Sequence, residues 1–224
     1  PKAGSLPRPL LGAEAFKGKN IQILKATGYG GNIRDLARNA RGAGHFTQQP
    51  DRDGIVRRVP MLMRFQDQYY GSLSLEILRW ILGDEEVVPV FGEPLFDTDG
   101  YPGLEWLMIG GVGIPVDRQA KTLVPFRGKQ KSFSYVSASE VLRSQTDKRI
   151  LENRIVILGS SAPGLLDLRA TPVEEVYPAV EIHANLIAGI LDGSVLRSPE
   201  YTLGAEVIML LLVGIGMLAA GSLL

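Results

Sequence analysis

Residues 154–191 read RIVILGSSAPGLLDLRATPVEEVYPAVEIHANLIAGIL, and the fold class turns on them. An apolar run, a glycine-punctuated polar loop and an amphipathic stretch follow one another there. Ile155, Val156, Ile157 and Leu158 form a continuous run rich in β-branched side chains between Arg154 and Gly159. Such a run predicts a strand buried on both faces. The segment Gly159-Ser160-Ser161-Ala162-Pro163-Gly164 continues neither strand nor helix cheaply. It places a turn at the strand's carboxyl end, the edge where open α/β sheets hold ligands. Residues 181–191 set Ile182, Leu186, Ile187, Ile190 and Leu191 at helical spacing, and Gly193 supplies a stop. The expectation is an α/β domain: a mixed sheet with flanking helices, in which 155–158 is an interior strand.

Downstream, residues 203–224 read LGAEVIMLLLVGIGMLAAGSLL, with Glu206 as the sole charge. A spanning helix needs about 20 apolar residues. Gly214, Gly216 and Gly221 would each weaken a soluble helix by roughly 1 kcal/mol, whereas membrane helices use glycines for close packing. The sequence therefore predicts a C-terminal transmembrane helix after a domain over 1–198, with 199–224 beginning the membrane region. The chain opens at Pro1 without an initiator Met and stops inside the apolar run, as a part of a longer polypeptide would.

The 224 residues are 45% hydrophobic, enough for a sizeable core. Lys plus Arg and Asp plus Glu both number 24. Zero net charge gives no global pull toward nucleic acid, and no nucleic-acid partner is expected. Cysteine is absent, which removes disulfide frameworks and thiolate metal sites.

Upstream, residues 21–24 read as a short strand. Gly28, Gly30 and Gly31 precede a helix carrying Ile33, Leu36, Ala37 and Ala40, with Asn32 as a candidate cap and Gly42 as the stop. The glycines lack the third member and the acidic residue of a dinucleotide fingerprint, so they read as a turn. Asp53-Gly54 is a tight-turn dipeptide within an expected hairpin over 44–62, whose second strand carries Val56, Val59 and Met61. Asp51-Arg52-Asp53 opens a calcium-loop pattern whose remaining ligands are missing, and no metal is expected. Arg57 and Arg58 fall on opposite faces of an extended segment. Residues 72–82, SLSLEILRWIL, predict a packing helix capped by Ser72, with Glu76 and Arg79 as an exposed pair. A long connection is expected over 83–102. A meander then follows, with runs at 105–109, 112–116 and 122–126. Ser137 and Glu140 have capping-box spacing ahead of a polar linker over 144–153.

Five blocks in order resemble a family. They are Asp-x-Asp-Gly-Ile-Val-Arg-Arg-Val-Pro at 51–60, Ser-Leu-x-Leu-Glu at 72–76 and Ile-Val-Ile-Leu-Gly-Ser-Ser-Ala at 155–162. The segment 167–172 and Val-Glu-Ile-His-Ala-Asn at 180–185 complete the set. Followed by an apolar helix, they resemble the CHASE2 domain, and the resemblance covers nearly everything before Pro199. It implies the extracytoplasmic, periplasmic sensory module of a bacterial inner-membrane receptor. Such receptors carry a cyclase, histidine kinase or Ser/Thr kinase output beyond several membrane helices. Gly71 and Ala179 depart from the proline and glycine usual at those places, and the first membrane helix of the usual domain is not in this chain.

Ser160 or Ser161, His183 and Asp167 supply the residue types of a hydrolytic triad, but the loop lacks the closing glycine of a nucleophile elbow. Gly159 and Gly164 have the spacing of a phosphate loop, yet Leu165-Leu166 replace its Lys and Ser/Thr. The chain is therefore read as a non-enzyme without a cofactor. Two readings of the polar residues stay open. In one, Asp167 and Arg169 pair with each other or with Arg57 or Arg58, and His183 is a satisfied histidine at a helix start. In the other, Asp53, Arg57, Asp167, Arg169, His183 and Asn185 converge on a polar pocket that takes a stimulus. Expected partners are a small-molecule or protein stimulus, membrane lipid and a second copy of the chain. The alternative function is a membrane-anchored interaction domain without signalling output.

Overall fold

The computed structural model describes residues 2–19, 21–92, 103–160, 167–197 and 202–221. Residues 161–166 of the glycine-punctuated loop, 93–102 of the long connection and the expected domain boundary at 198/199 lie outside the described residues.

In chain order, β1 (Lys2–Ala3) pairs in parallel with β2 (Tyr29–Gly30), and α1 (Arg34–Asn39) follows. Next come β3 (Arg58–Pro60), β4 (Leu62–Phe65) and β5 (Gln68–Gly71), then α2 (Leu73–Ile81) and β6 (Val88–Phe91). The chain continues through β7 (Leu104–Ile109), β8 (Val112–Pro115) and β9 (Lys121–Leu123), then the short helices α3 (Ala138–Leu142) and α4 (Lys148–Leu151). The last elements are β10 (Leu168–Arg169), β11 (Tyr177–Pro178), α5 (Ala179–Leu191) and α6 (Thr202–Gly221).

The α/β class holds, but among the described residues the strands form five small sheets. The three-stranded sheet β6-β7-β8 has Leu107 opposite Ile114, and its Gly110-Gly111 turn has φ of 51° and 82°. Glycine reaches that left-handed region at little cost, which fixes the tight hairpin. Gln66 and Asp67 take the same positive φ between β4 and β5, in a turn the sequence does not advertise. Core side chains such as Met61, Leu62, Leu75, Leu78, Leu107 and Ile182 lose all contact with solvent where α2 packs on α5 and the sheets close around them.

Several expectations are corrected. The run 155–158 forms no strand: Ile155, Val156 and Leu158 are 48%, 61% and 85% exposed, and only Ile157 touches the core. A β-branched run becomes a strand only where an edge is free to pair with it. Here Gly159 is pressed onto Val180, whose Cβ would lie 2.5 Å from any Cβ at 159. The Asp53-Gly54 turn forms, with Gly54 N–H donating to the Asp51 carbonyl at 2.9 Å. However, β3 pairs with β9 instead of the other arm of a hairpin, which takes the third run out of the meander. The expected long connection contains β6, and the polar linker contains α4. Residues 21–24 are extended but bond only irregularly, to Arg118 and Arg64. Helix α1 is capped at Ile33 without a side-chain bond, and Ile33 and Leu36 are exposed. Ser137 meets the Ser139 hydroxyl at 2.8 Å and makes no capping bond.

The two principal helices follow their sequence signals. Ser72 Oγ accepts from Leu75 N–H at 3.2 Å at the start of α2. Gly193, with φ of 65°, ends α5. Glu76 and Arg79 do pair at 3.0 Å, but Glu76 is buried rather than exposed. The transmembrane helix expected at 203–224 is not found: among the described residues no helix is long and apolar enough to cross a membrane.

Candidate functional site

A groove of about 800 Å³ runs between the β1/β2 end of the molecule, the segment 41–47 and the face of α2 that carries Glu76, Arg79 and Trp80. Gly44 makes its wall possible. A Cβ there would come within 2.6 Å of Ser72 and Leu73 backbone atoms, so only glycine lets the chain lie flat across the α2 N-terminus. The neighbouring backbone seals the contact: His45 N–H donates to the Gly71 carbonyl at 3.0 Å and Leu73 N–H to the His45 carbonyl at 2.7 Å. The Gly28 to Gly31 cluster lines the opposite wall, and Gly31 N–H donates to the Ala3 carbonyl at 2.7 Å. Of these, Gly31 serves close backbone approach, since a Cβ there would lie 2.8 Å from the Ser5 carbonyl oxygen, whereas a Cβ at Gly30 would meet nothing within 4 Å.

The floor of the groove is charged and aromatic. Arg79 bonds Glu76 at 3.0 Å and also pairs with Asp84. Burial pushes the Glu76 carboxyl above its ordinary value, and the Arg79 charge opposes that shift. The Arg41 guanidinium stacks over the Trp80 ring at 4.0 Å, a cation–π contact.

Behind the groove lie the chain's two histidines. His45 reaches the groove from the 41–47 wall, with both ring nitrogens buried. His183 is 3% exposed on α5, and its Nδ1 lies 2.7 Å from Ser74 Oγ on α2. His45 Nδ1 and Nε2, His183 Nε2 and Gln48 Oε1 are buried without a hydrogen-bond partner among the described residues. Gln48 Nε2 donates to the Ala179 carbonyl at 3.3 Å, which ties the segment to the first turn of α5. Burial lowers both imidazoles from the usual 6.5 to about 4, and for His45 the neighbouring His183 adds to the shift.

The six residues singled out in the sequence fall into separate places. Asp53 and Arg57 meet at 2.8 Å, and Asp51 joins them at 3.0 Å. The Arg57 bonds, with the Ile55 N–H, hold Asp53 down at about 2. Val56 N–H donates to the Ala170 carbonyl at 2.8 Å, so this exposed cluster sits beside β10, which carries Arg169. Arg169 Nη1 donates to the Leu168 carbonyl at 2.9 Å, and the Asp167 carbonyl accepts from Ala179 N–H at 2.9 Å. Arg57 thus takes Asp51 and Asp53 as its acids, and Asp167 fixes the entry to α5 through its backbone.

Asn185 is fully buried and fully used. Its Oδ1 accepts from Arg127 N–H at 2.9 Å, and its Nδ2 donates to the Tyr177 hydroxyl and the Glu181 carbonyl at 2.9 and 2.8 Å. Glu181, which the sequence reading passed over, accepts from Lys131 N–H, Ser132 N–H and the Tyr135 hydroxyl at 3.1, 2.9 and 2.6 Å. Burial, then the Glu181 bond, pushes the Tyr135 phenol up. An acid and an amide four apart on an otherwise apolar helix could have flagged this role. The sequence reading also passed over His45, which no periodic pattern marks.

His183 bonds Ser74, and among the described residues no group of three His, Cys, Asp or Glu could hold a metal ion. No curated protein and no solved structure matches the chain. One family does, the CHASE2 domain, over residues 10–220. That match takes in α2, α5, the groove's 41–47 wall and both histidines, so this chain belongs to the CHASE2 domain family of extracytoplasmic, non-catalytic sensory domains.

Proposed function

We propose that the chain is the input domain of a bacterial inner-membrane receptor, with its folded part in the periplasm and the apolar segment 203–224 leading into the membrane region. The output is an adenylate or guanylate cyclase, or a histidine or Ser/Thr kinase, on the cytoplasmic side. The stimulus, a small molecule or a protein surface, engages the groove beside α2. Family membership supports the sensory role. The apolar character of 203–224, and the exposure of each large apolar side chain described over 207–218, support burial of α6 in lipid and against a second copy.

One observation carries the mechanism: the groove wall rests on the N-terminus of α2, α2 packs on α5, and α5 precedes α6. A stimulus that binds one α2–α5 arrangement better than another shifts the population of both, and a tenfold preference corresponds to about 1.4 kcal/mol. In the full-length receptor, Trp80→Ala and Arg41→Ala should weaken or lock the output while expression and insertion stay at parental levels. Phosphatase fused after residue 197 should be active in the periplasm. Activity of a cytoplasm-only reporter at that position, or unchanged output in both variants, would defeat this reading.

A further inference from the structure

His45 and His183 come from positions far apart in the sequence and converge on the first turn of α2, where Leu73 N–H donates to the His45 carbonyl at 2.7 Å and Ser74 Oγ lies 2.7 Å from His183 Nδ1. The arrangement differs from that of an ordinary buried histidine, whose two nitrogens find partners. With Nδ1 on Ser74, His183 Nε2 is unpartnered in either tautomer, and His45 has neither nitrogen bonded. A divalent cation is a poor occupant, because among the described residues no third His, Cys, Asp or Glu joins the pair.

We infer that the His45–His183 pair is a proton-binding site, and that its protonation loosens the 43–48 segment and α2 from the first turns of α5. As a stimulus, the inference rests on the sensory reading above; as a property of the domain, it stands on this geometry.

The charges around the pair offer a proton no compensation. On α2, Ser74 is neutral, and Glu76 and Arg79 are spent on each other. On the groove wall, Arg41 is itself a cation and Gln48 is neutral. Asp84, past the end of α2, is taken by Arg79. On α5, Glu181 is engaged by the segment at 131–135. A first proton therefore enters a buried site without a counter-ion, and a second meets the first. Each protonation turns a ring into a double donor, while the cluster offers one unpartnered acceptor, Gln48 Oε1. Hydration through the groove relieves this. The link that yields is the 3.3 Å bond from Gln48 to the Ala179 carbonyl, because the rest of the wall is held by shorter backbone bonds to β5 and α2.

The test uses the 224-residue chain in lipid nanodiscs. Histidine-selective labelling gives two imidazole signals, assigned by His45→Asn, and hydrogen exchange follows the amides of α5. Both signals should titrate well below pH 6.5, as a coupled pair. The protection factors of the first turns of α5 should fall at least about tenfold between pH 7 and pH 5, because the open state binds protons more readily. His183→Asn should abolish most of that fall, and Gln48→Ala should lower protection already at pH 7. Imidazoles titrating at their free value, or α5 protection indifferent to pH in the parent chain, would overturn the inference whatever the variants do. A full-length receptor whose output ignores pH while α5 opens would leave the proton switch in place and count against the signalling role.

Discussion

Glu181 and Asn185 project from one side of α5 into the segment at 126–135, while His183, between them in sequence, projects from the other side toward α2. Every polar atom of the first cluster is matched: three donors converge on the Glu181 carboxylate, and the Asn185 amide uses both ends. In the second, three ring nitrogens and the Gln48 oxygen have no partner among the described residues. A satisfied buried network rigidifies, whereas an unsatisfied one is where a change of protonation or hydration gains most. One helix thus carries a fixed side and a responsive side.

The comparison can be broken most forcefully at its fixed side. Glu181→Ala leaves three donors without their acceptor and should cost about 3 kcal/mol. Urea unfolding of the chain at pH 7 measures it, and a loss under about 1 kcal/mol would mean the network is ornamental.

Acid sharpens the contrast. Both histidines have folded pKa values near 4, below the unfolded 6.5, so the folded state holds fewer protons across that window. Their contribution is fully present above pH 6.5 and is lost as pH falls toward 4, at most about 3 kcal/mol for each ring. Thermal melts from pH 7 to pH 4 should decline for the parent and stay flatter for His183→Asn. Asp53 titrates lower, its carboxyl held at about 2, so its share persists until pH drops below the ordinary carboxylate range. The two windows do not overlap.

The smallest effect is expected at the exposed cluster. Asp53→Ala leaves Arg57 with Asp51, in a solvated setting where ion pairs contribute little. Its melting temperature should match the parent's, and a clear drop would show that the 51–57 turn supports β10 more than its exposure indicates.

Much of this architecture was legible where the determinants are local. Ser72 ahead of Leu75 and Leu78 gave α2, and the Ile182, Leu186 and Ile190 spacing with Gly193 gave α5. Gly110-Gly111 gave the β7–β8 turn. The candidate site was far less legible. Asp53 with Arg57 is a contact four residues apart and could be anticipated. The division of His183 from Asn185 depends on which neighbours meet each side of α5, and no spacing encodes that. The apolar run at 155–158 misled for the same reason, since hydrophobicity states a need for burial without supplying the edge that would meet it.

By itself, then, the sequence determined the two principal helices, the Ser72 cap and the Asp53-Gly54 and Gly110-Gly111 turns, because their energies depend on residues within a turn or two of one another. It also determined family membership, because ordered motif blocks survive without knowledge of contacts. Only the tertiary structure decided that β3 pairs with β9 and that the 155–158 run stays outside the core. Only it brought His45 and His183 to the same turn of α2. Such contacts depend on loop closure and on competition among distant segments for the same buried space, quantities that belong to the whole chain and to no stretch of it.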